Sequence, residues 1–172
     1  MRILGIDPGL RATGWGVVEA GKGRLRHIAH GSIRPPTNRP LDRRLLVIFE
    51  GLIDVVREHA PGEAAIEETF VNKNAAATLS LGQARAAGLL AAAQTGLPIA
   101  EYAPNRVKKA VVGVGHADKE QVAAMVCRLM PIEISGPDAA DALAIAICHS
   151  HFRESEGRLV PAAGIGTRGA VR

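Results

Sequence analysis

The sequence predicts an α/β domain with a five-stranded mixed sheet, in which three antiparallel strands come first and parallel strands follow, flanked by helices. Short apolar segments bounded by Gly and Pro fill the first forty residues, which is typical of antiparallel strands. From residue 41 onward, segments with helical periodicity alternate with short apolar ones, which indicates parallel strands joined by right-handed crossovers. At 172 residues, the chain has the length of one domain.

Three strands are predicted before the first helix. The first covers residues 2–7 and ends at the turn-forming Asp7-Pro8-Gly9. The second covers 14–20, and a glycine-rich loop connects it to the third at 24–33. Proline residues then interrupt the chain until residue 40.

Helices and strands alternate in the rest of the chain. In order, the predicted elements are a helix from residue 41 to Pro61-Gly62, a strand at 64–67, an alanine-rich helix at 75–95, a strand at 98–102, a helix from Asp118, and a last helix at 138–152. Gln121 stands three residues after Asp118, as in a capping box. We expect residues 1–152 to form one domain and 153–172 a flexible basic tail.

Composition excludes several classes of protein. Hydrophobic residues make up 47% and charged residues 22%, which argues against disorder. Two cysteines do not form a disulfide framework. The apolar segment at the N-terminus is interrupted by the charged Asp7, so it is too short for a signal peptide. No uncharged apolar segment reaches the ~18 residues that a membrane span needs. We therefore expect a soluble cytoplasmic protein that does not contact a membrane.

Charge is unevenly distributed along this basic chain. The formal net charge is +4, but residues 1–44 hold nine basic and three acidic side chains, whereas 45–101 hold three basic and seven acidic ones. Such a chain could attract a polyanion and still keep carboxylates for a metal. Coding bias toward arginine is the alternative explanation.

Several carboxylates occur at the ends of predicted strands or at the start of a predicted helix, where their side chains would be available for binding. Asp7 ends the first strand, although Asp-Pro-Gly is also an ordinary solvated turn. Glu67 and Glu68 end the fourth strand and must face opposite sides, so either could be a surface acid. Asp138 and Asp141 share one face of the last helix, where the helix dipole alone also favours acids.

Together these acids predict a site for hard divalent cations, which prefer oxygen ligands. Two such ions, about 3.5–4 Å apart, would hold the attacking and leaving oxygens of a phosphodiester. His and Cys have no zinc-ligand spacing, and the chain lacks a P-loop sequence.

Several sequence blocks follow one another in a distinctive order, among them Gly5-Ile6-Asp7-Pro8-Gly9, Ala65-Ile66-Glu67, Leu81-Gly82-Gln83-Ala84-Arg85, Val111-Val112-Gly113 and Asp138-Ala139-Ala140-Asp141. In these blocks the chain resembles the RuvC family of Holliday-junction resolvases, from Ile3 to about His151. The resemblance implies an RNase H-like fold and a structure-selective endonuclease. Such an enzyme cuts four-way DNA junctions by paired symmetric nicks in recombination and repair.

The resemblance also implies roles for individual residues, and it selects Glu67 over Glu68. The implied catalytic and metal-binding acids are Asp7, Glu67, Asp138 and Asp141, with basic residues Lys108 and Lys119 near the scissile phosphate and Phe70 near the junction centre. Some family members carry His where this chain has Asp138.

Further DNA contacts are expected on Lys73, Arg106, Lys108 and Lys109. From the residues alone, a solvated surface is the alternative for the basic cluster, and a core position is the alternative for Phe70.

Cofactors and partners also follow from the resemblance. It implies two Mg²⁺ ions in each active site, with Mn²⁺ as a candidate substitute, and a branch-migration motor of the RuvA–RuvB type as partner. It implies a homodimer formed through the helix at 75–95, where Ala84, Ala87, Gly88 and Ala91 would allow close approach of another helix. Packing of these small residues within the same chain is the alternative.

Three other functions fit parts of the sequence. A DNA-binding module without catalysis would be expected to have lost one of the four acids. An actin-like ATPase would use the turn at Asp7 as a phosphate-binding hairpin, but such proteins bind nucleotide between two domains of this kind. An RNA-processing nuclease on the same fold is the third alternative.

Overall fold

The computed structural model describes residues 1–21, 23–69 and 73–159. The strands of this part of the chain are β1 (Arg2–Asp7), β2 (Thr13–Gly21), β3 (Arg24–Ile33), β4 (Glu63–Glu67) and β5 (Ile99–Tyr102). Its helices are α1 (Leu41–His59), α2 (Ala75–Gln94), α3 (Pro104–Val112), α4 (Lys119–Leu129) and α5 (Pro137–Leu159).

The strands form one sheet in the order β3-β2-β1-β4-β5. β1 pairs antiparallel with β2, which pairs antiparallel with β3, whereas β4 lies parallel to both β1 and β5. The predicted five-stranded mixed sheet is therefore confirmed. β1 is the central strand, and its carboxyl end lies beside that of β4.

Helices cover both faces of the sheet, and the alternation of side chains along β1 supplies both cores. Ile3 packs on one face with residues of α3, α4 and α5. Leu4 and Ile6 pack on the other face with residues of α1 and α2. All three are 1% exposed, so the central strand is buried on both sides.

The small residues of α2 belong to the core of their own chain. Ala84, Ala87, Gly88 and Ala91 are buried and pack in the same cluster as Ile66 and Leu52. The interpretation of these four residues as the surface of a dimer was therefore wrong, and the intramolecular alternative is correct. A residue without a large side chain allows the helix to approach the sheet closely, since a Cβ on Gly88 would lie 3.1 Å from Ile66 Cδ1.

Two helices differ from the sequence predictions. α3 was not predicted, although Pro104 at its first turn and Gly113 with φ +89° after its end are typical helix boundaries. α5 was predicted to end at Phe152, where the apolar periodicity stops. In the structure it continues to Leu159, since most of the residues that follow Phe152 are compatible with a helix. Residues 160–172 of the predicted tail lie outside the described residues, and the division at residue 152 stays a prediction.

No helix in the described ranges has both the length and the apolar character needed to cross a membrane.

Candidate active site

Two neighbouring strands place Asp7 and Glu67 side by side. Ile6 of β1 pairs with Ile66 of β4 in a parallel register, and both side chains pack toward α1 and α2. The next residue on each strand must face the opposite side, toward α5. Glu68 follows the last residue of β4, and continued alternation would turn its side chain to the face opposite that of Glu67.

Glycines bring the first turns of α5 directly onto the sheet. A Cβ on Gly5 would lie 2.0 Å from the carbonyl oxygen of Ala142, and one on Gly14 would lie 2.0 Å from that of Asp138. Only residues without a side chain fit at these two positions. The helix therefore carries Asp138 and Asp141 to the carboxyl end of β1.

The acids meet at a cleft of about 200 Å³. It is lined by Asp7, Glu67, Pro104, Val107, Lys108, Lys119, Val122, Asp141 and Ala144. Three carboxylates from β1, β4 and α5 thus share one cavity with two lysines from α3 and α4. This arrangement concentrates both signs of charge in a small volume.

Burial and mutual repulsion make the two strand acids hard to ionise. Burial, followed by the charges of Asp141 and Glu67, raises the pKa of Asp7 to about 8. Burial and the charge of Asp141 raise the pKa of Glu67 to about 7, although the charges of Lys119 and Lys108 oppose this. A bound cation would reverse both shifts, because it favours the ionised carboxylates.

Lys119 is fixed in the cleft by the start of α4. Asp118 accepts a hydrogen bond from the backbone N–H of Gln121, and the Gln121 side chain accepts one from the Asp118 N–H. This capping box sets the first helical residue, whose Nζ donates to Asp141 Oδ2 at 2.5 Å. The hydrogen bond to Asp141 raises the pKa of the Lys119 ammonium group.

The structure places Asp138 at the rim of the site rather than in the cleft. Its Oδ2 accepts a hydrogen bond from Arg34 Nη2 at 3.1 Å, and Arg34 follows directly after β3. Its charge still contributes to the raised pKa of Asp7. Three of the four predicted acids therefore line one cavity, and the fourth is held beside it by an arginine.

The carboxylate oxygens are suitable ligands for a hard cation, although the side chains are not arranged as a preformed coordination site. No cluster of three or more His, Cys, Asp or Glu arranged to hold a metal ion occurs among the described residues. Two of the acids are instead neutralised by Lys119 and Arg34. Once these basic groups move away, the site offers carboxylate oxygens only, which suits Mg²⁺ or Mn²⁺ rather than zinc.

Arg85 supports the site from α2, and sequence reasoning missed this role. Its Nε donates to the main-chain carbonyl of Glu67 at 3.2 Å, and its guanidinium also pairs with Glu101. The bond fixes the end of β4, the strand that carries Glu67. A single arginine within an otherwise uncharged helix was the signal that could have identified it.

The residues predicted to contact DNA are spread over several places. Lys108 lines the cleft, and Lys109 is exposed on the same helix. Lys73 is exposed just before α2, and Phe70 lies outside the described residues. The guanidinium of Arg106 is not part of the cleft, because it stacks over the Phe152 ring at 3.9 Å from the ring centroid.

Comparisons with known proteins agree with this geometry. The family model described as crossover junction endodeoxyribonuclease RuvC matches residues 3–149. The protein of that name from Bradyrhizobium diazoefficiens is 57% identical over 96% of this chain and 95% of its own length. The one from Maricaulis maris is 59% identical over 90% of this chain and 93% of its own.

A solved structure also superposes closely on this one. Thermus thermophilus RuvC, in complex with a Holliday junction substrate, gives a TM-score of 0.84 at 33% identity and covers 91% of this chain and 96% of its own. The RNase H-like fold that the resemblance implied, with a five-stranded mixed sheet flanked by helices, is thereby confirmed. By both sequence and structure, the chain belongs to the RuvC family of crossover junction endodeoxyribonucleases, which are metal-dependent nucleases.

Proposed function

We propose that this protein resolves four-way DNA junctions by metal-dependent hydrolysis, with one symmetric nick made by each of two subunits. The observation that supports it most is the single cleft shared by Asp7, Glu67 and Asp141 with Lys108 and Lys119. The reaction would serve recombination and DNA repair, and it would take place in the cytoplasm beside the chromosome.

Asp7, Glu67, Asp138 and Asp141 are the residues that would hold two Mg²⁺ ions. When bound, the ions supply an activated water and stabilise the leaving oxygen of the phosphodiester. Asp7 is suited to the central position, because it lies between Glu67 on the next strand and Asp141 on the helix above. Mn²⁺ shares this preference for oxygen ligands and should substitute.

The two lysines of the cleft would act on the phosphate itself. Lys119 and Lys108 would offset the negative charge that builds on its oxygens in the transition state. Lys119 already donates to Asp141, so its ammonium group lies beside the acids that would hold the metal. Lys73, Lys109, Arg106 and Phe70 remain proposed DNA contacts, with Phe70 assigned to stacking near the junction centre.

We propose a homodimer that forms through the outward face of α2. Leu79 and Leu90 are 65% and 61% exposed, and the exposed Ala86 and Ala93 lie on the same stripe of the helix. Exposed leucines in a row are typical of a surface that a partner covers. Leu90→Glu should therefore shift the protein to monomer in sedimentation analysis and reduce paired nicking, whereas Glu50→Gln on α1 should change neither.

A branch-migration motor of the RuvA–RuvB type is the proposed partner in the cell. Its role would be to deliver the junction, and the family membership of this chain supports the pairing. We also propose that residues 1–152 suffice for the nuclease domain and that the segment after them acts as a basic tail.

The proposed function is tested with the Asp7→Asn variant on a synthetic four-way junction. Cleavage in Mg²⁺ should fall by at least ~10³-fold, because the central ligand and its charge are lost. Junction binding without divalent ions should persist, since it depends on basic residues elsewhere. Linear duplex of matched sequence is the substrate control, and a variant that cuts near the parent rate would show that Asp7 is not catalytic.

A further inference from the structure

Arg34 is a basic residue that the proposed mechanism does not use, yet it touches one of the proposed metal ligands. Its Nη2 donates to Asp138 Oδ2 at 3.1 Å, across 104 positions of sequence. Asp138 is the one proposed ligand that does not line the cleft. The ion pair therefore accounts for the position of that carboxylate at the rim.

The backbone on both sides of this pair is fixed independently of it. Thr13 of β2 pairs with Ile33, the residue before Arg34, and the buried Pro35 follows. A residue before proline is restricted to extended conformations, so the main chain at Arg34 is stiff. On the other side, the Ser135 N–H donates to His30 Nε2 at 3.1 Å, which ties the segment just before α5 to β3.

The ion pair between Arg34 and Asp138 is easily broken in favour of another partner. The Arg34 side chain is 63% exposed and that of Asp138 is 30% exposed, so water reaches both groups. Exposed pairs of this kind contribute little to stability. A guanidinium forms two parallel hydrogen bonds with a phosphate, which makes a DNA phosphate a strong competitor for Arg34.

We propose that Arg34 is a positioning residue that holds Asp138 at the rim of the site and releases it to the metal when a DNA phosphate takes its place. Metal binding at this position is thereby coupled to the presence of substrate. The inference rests on the proposed function, which supplies the phosphate, and assigns to Arg34 no contact with the reacting atoms. Removal of the Arg34 charge should therefore strengthen metal binding in the absence of DNA and weaken DNA binding.

The first experiment measures Mn²⁺ affinity by electron paramagnetic resonance in the absence of DNA. Arg34→Gln should bind Mn²⁺ roughly two- to fivefold more tightly than the parent, because Asp138 no longer has a competing cation. Arg26→Gln is the matched control, since Arg26 forms an exposed pair with Glu19 of β2 at the end of β3 that lies away from Arg34. That control should leave Mn²⁺ affinity unchanged.

A double-mutant cycle separates direct pairing from the general effect of removing a positive charge. In an Asp138→Asn background, Arg34→Gln should have no further effect on Mn²⁺ affinity. If it still tightens binding there, or if the single variant binds Mn²⁺ no better than the parent, the proposal is overturned.

The second experiment measures junction binding as a function of salt, without divalent ions. Arg34→Gln should lower the slope of log affinity against log salt by about one, as expected for the loss of one phosphate contact. An unchanged slope would show that Arg34 does not move to DNA. Failure of the parent protein to prefer junctions would contradict the proposed function, whereas the Mn²⁺ measurements contain no DNA and decide the role of Arg34 separately.

Discussion

Replacing Gly14 with alanine should displace the first turn of α5 and slow cleavage, although the domain should still fold. The added Cβ would lie 2.0 Å from the Asp138 carbonyl oxygen and 2.4 Å from its carbonyl carbon. Both atoms belong to the main chain, so no side-chain rotation relieves the clash. Since contacts under 3.0 Å are essentially never seen for a Cβ, the backbone at Asp138 must move by about 1 Å.

Such a shift has different consequences for stability and for catalysis. Overpacking of this kind costs about 1–3 kcal/mol, against a typical total stability of about 5–15 kcal/mol. The variant should therefore remain folded. A displacement of about 1 Å in a catalytic group costs on the order of 10²-fold in rate, and α5 carries both Asp138 and Asp141. We expect catalysis to be affected far more than folding.

The assay compares single-turnover cleavage of a four-way junction with the urea midpoint of unfolding. Gly21→Ala is the matched control, because Gly21 lies on the same strand and a Cβ there would meet nothing within 4 Å. The control should cleave and unfold like the parent. A Gly14→Ala protein that cuts at the parent rate would refute the close packing of α5 on β2.

The remaining predictions concern pH and the charge of the acid cluster. The pKa of Asp7 is raised from 3.8 to about 8 and that of Glu67 from 4.5 to about 7, so the folded state holds protons that the unfolded state releases. The free energy of unfolding of the metal-free protein should therefore fall as pH rises from about 4 to about 8, and Mg²⁺ should restore it at pH 8 but not at pH 4. Thermal unfolding across this range checks the direction, and a metal-free protein that gains stability with rising pH would contradict it. Asp7→Asn, which destroys the proposed activity, should stabilise the metal-free protein at pH 8 relative to the parent, because one repelling charge is gone.

Strands were predicted from the sequence more accurately than helices that lie at the surface. The bounds of β1 and β3 agree with the prediction, because turn residues mark the end of β1 and a glycine and a Pro-Pro segment flank β3. α3 was missed, since nine residues give too few turns for an apolar period to be visible. The face of α2 that is buried was also ambiguous, because alanine and leucine occur all around this helix.

The position of the acids along the chain was predictable, but their partners were not. The alternation of side chains along a strand required Glu67 and Glu68 to face opposite sides of the sheet. Which of the two faces α5 could not be predicted from the chain alone, because it depends on the register of β4 against β1. The pairs Arg34–Asp138 and Lys119–Asp141 join residues from separate elements. No local pattern specifies such contacts, because they follow from the packing of α5 on the sheet.

These two ion pairs resolve a conflict that the fold itself creates. Gly5 and Gly14 allow α5 to approach the sheet closely, and the approach gathers acids whose mutual repulsion opposes folding. Lys119 and Arg34 offset part of that repulsion from positions where water can also reach them. Groups that neutralised the acids permanently would exclude a metal ion, whereas the exposed basic side chains of Lys119 and Arg34 are free to leave if a phosphate takes their place. In the proposed function their exposure is therefore as important as their charge, since it would allow the same residues to stabilise the resting domain and to bind substrate.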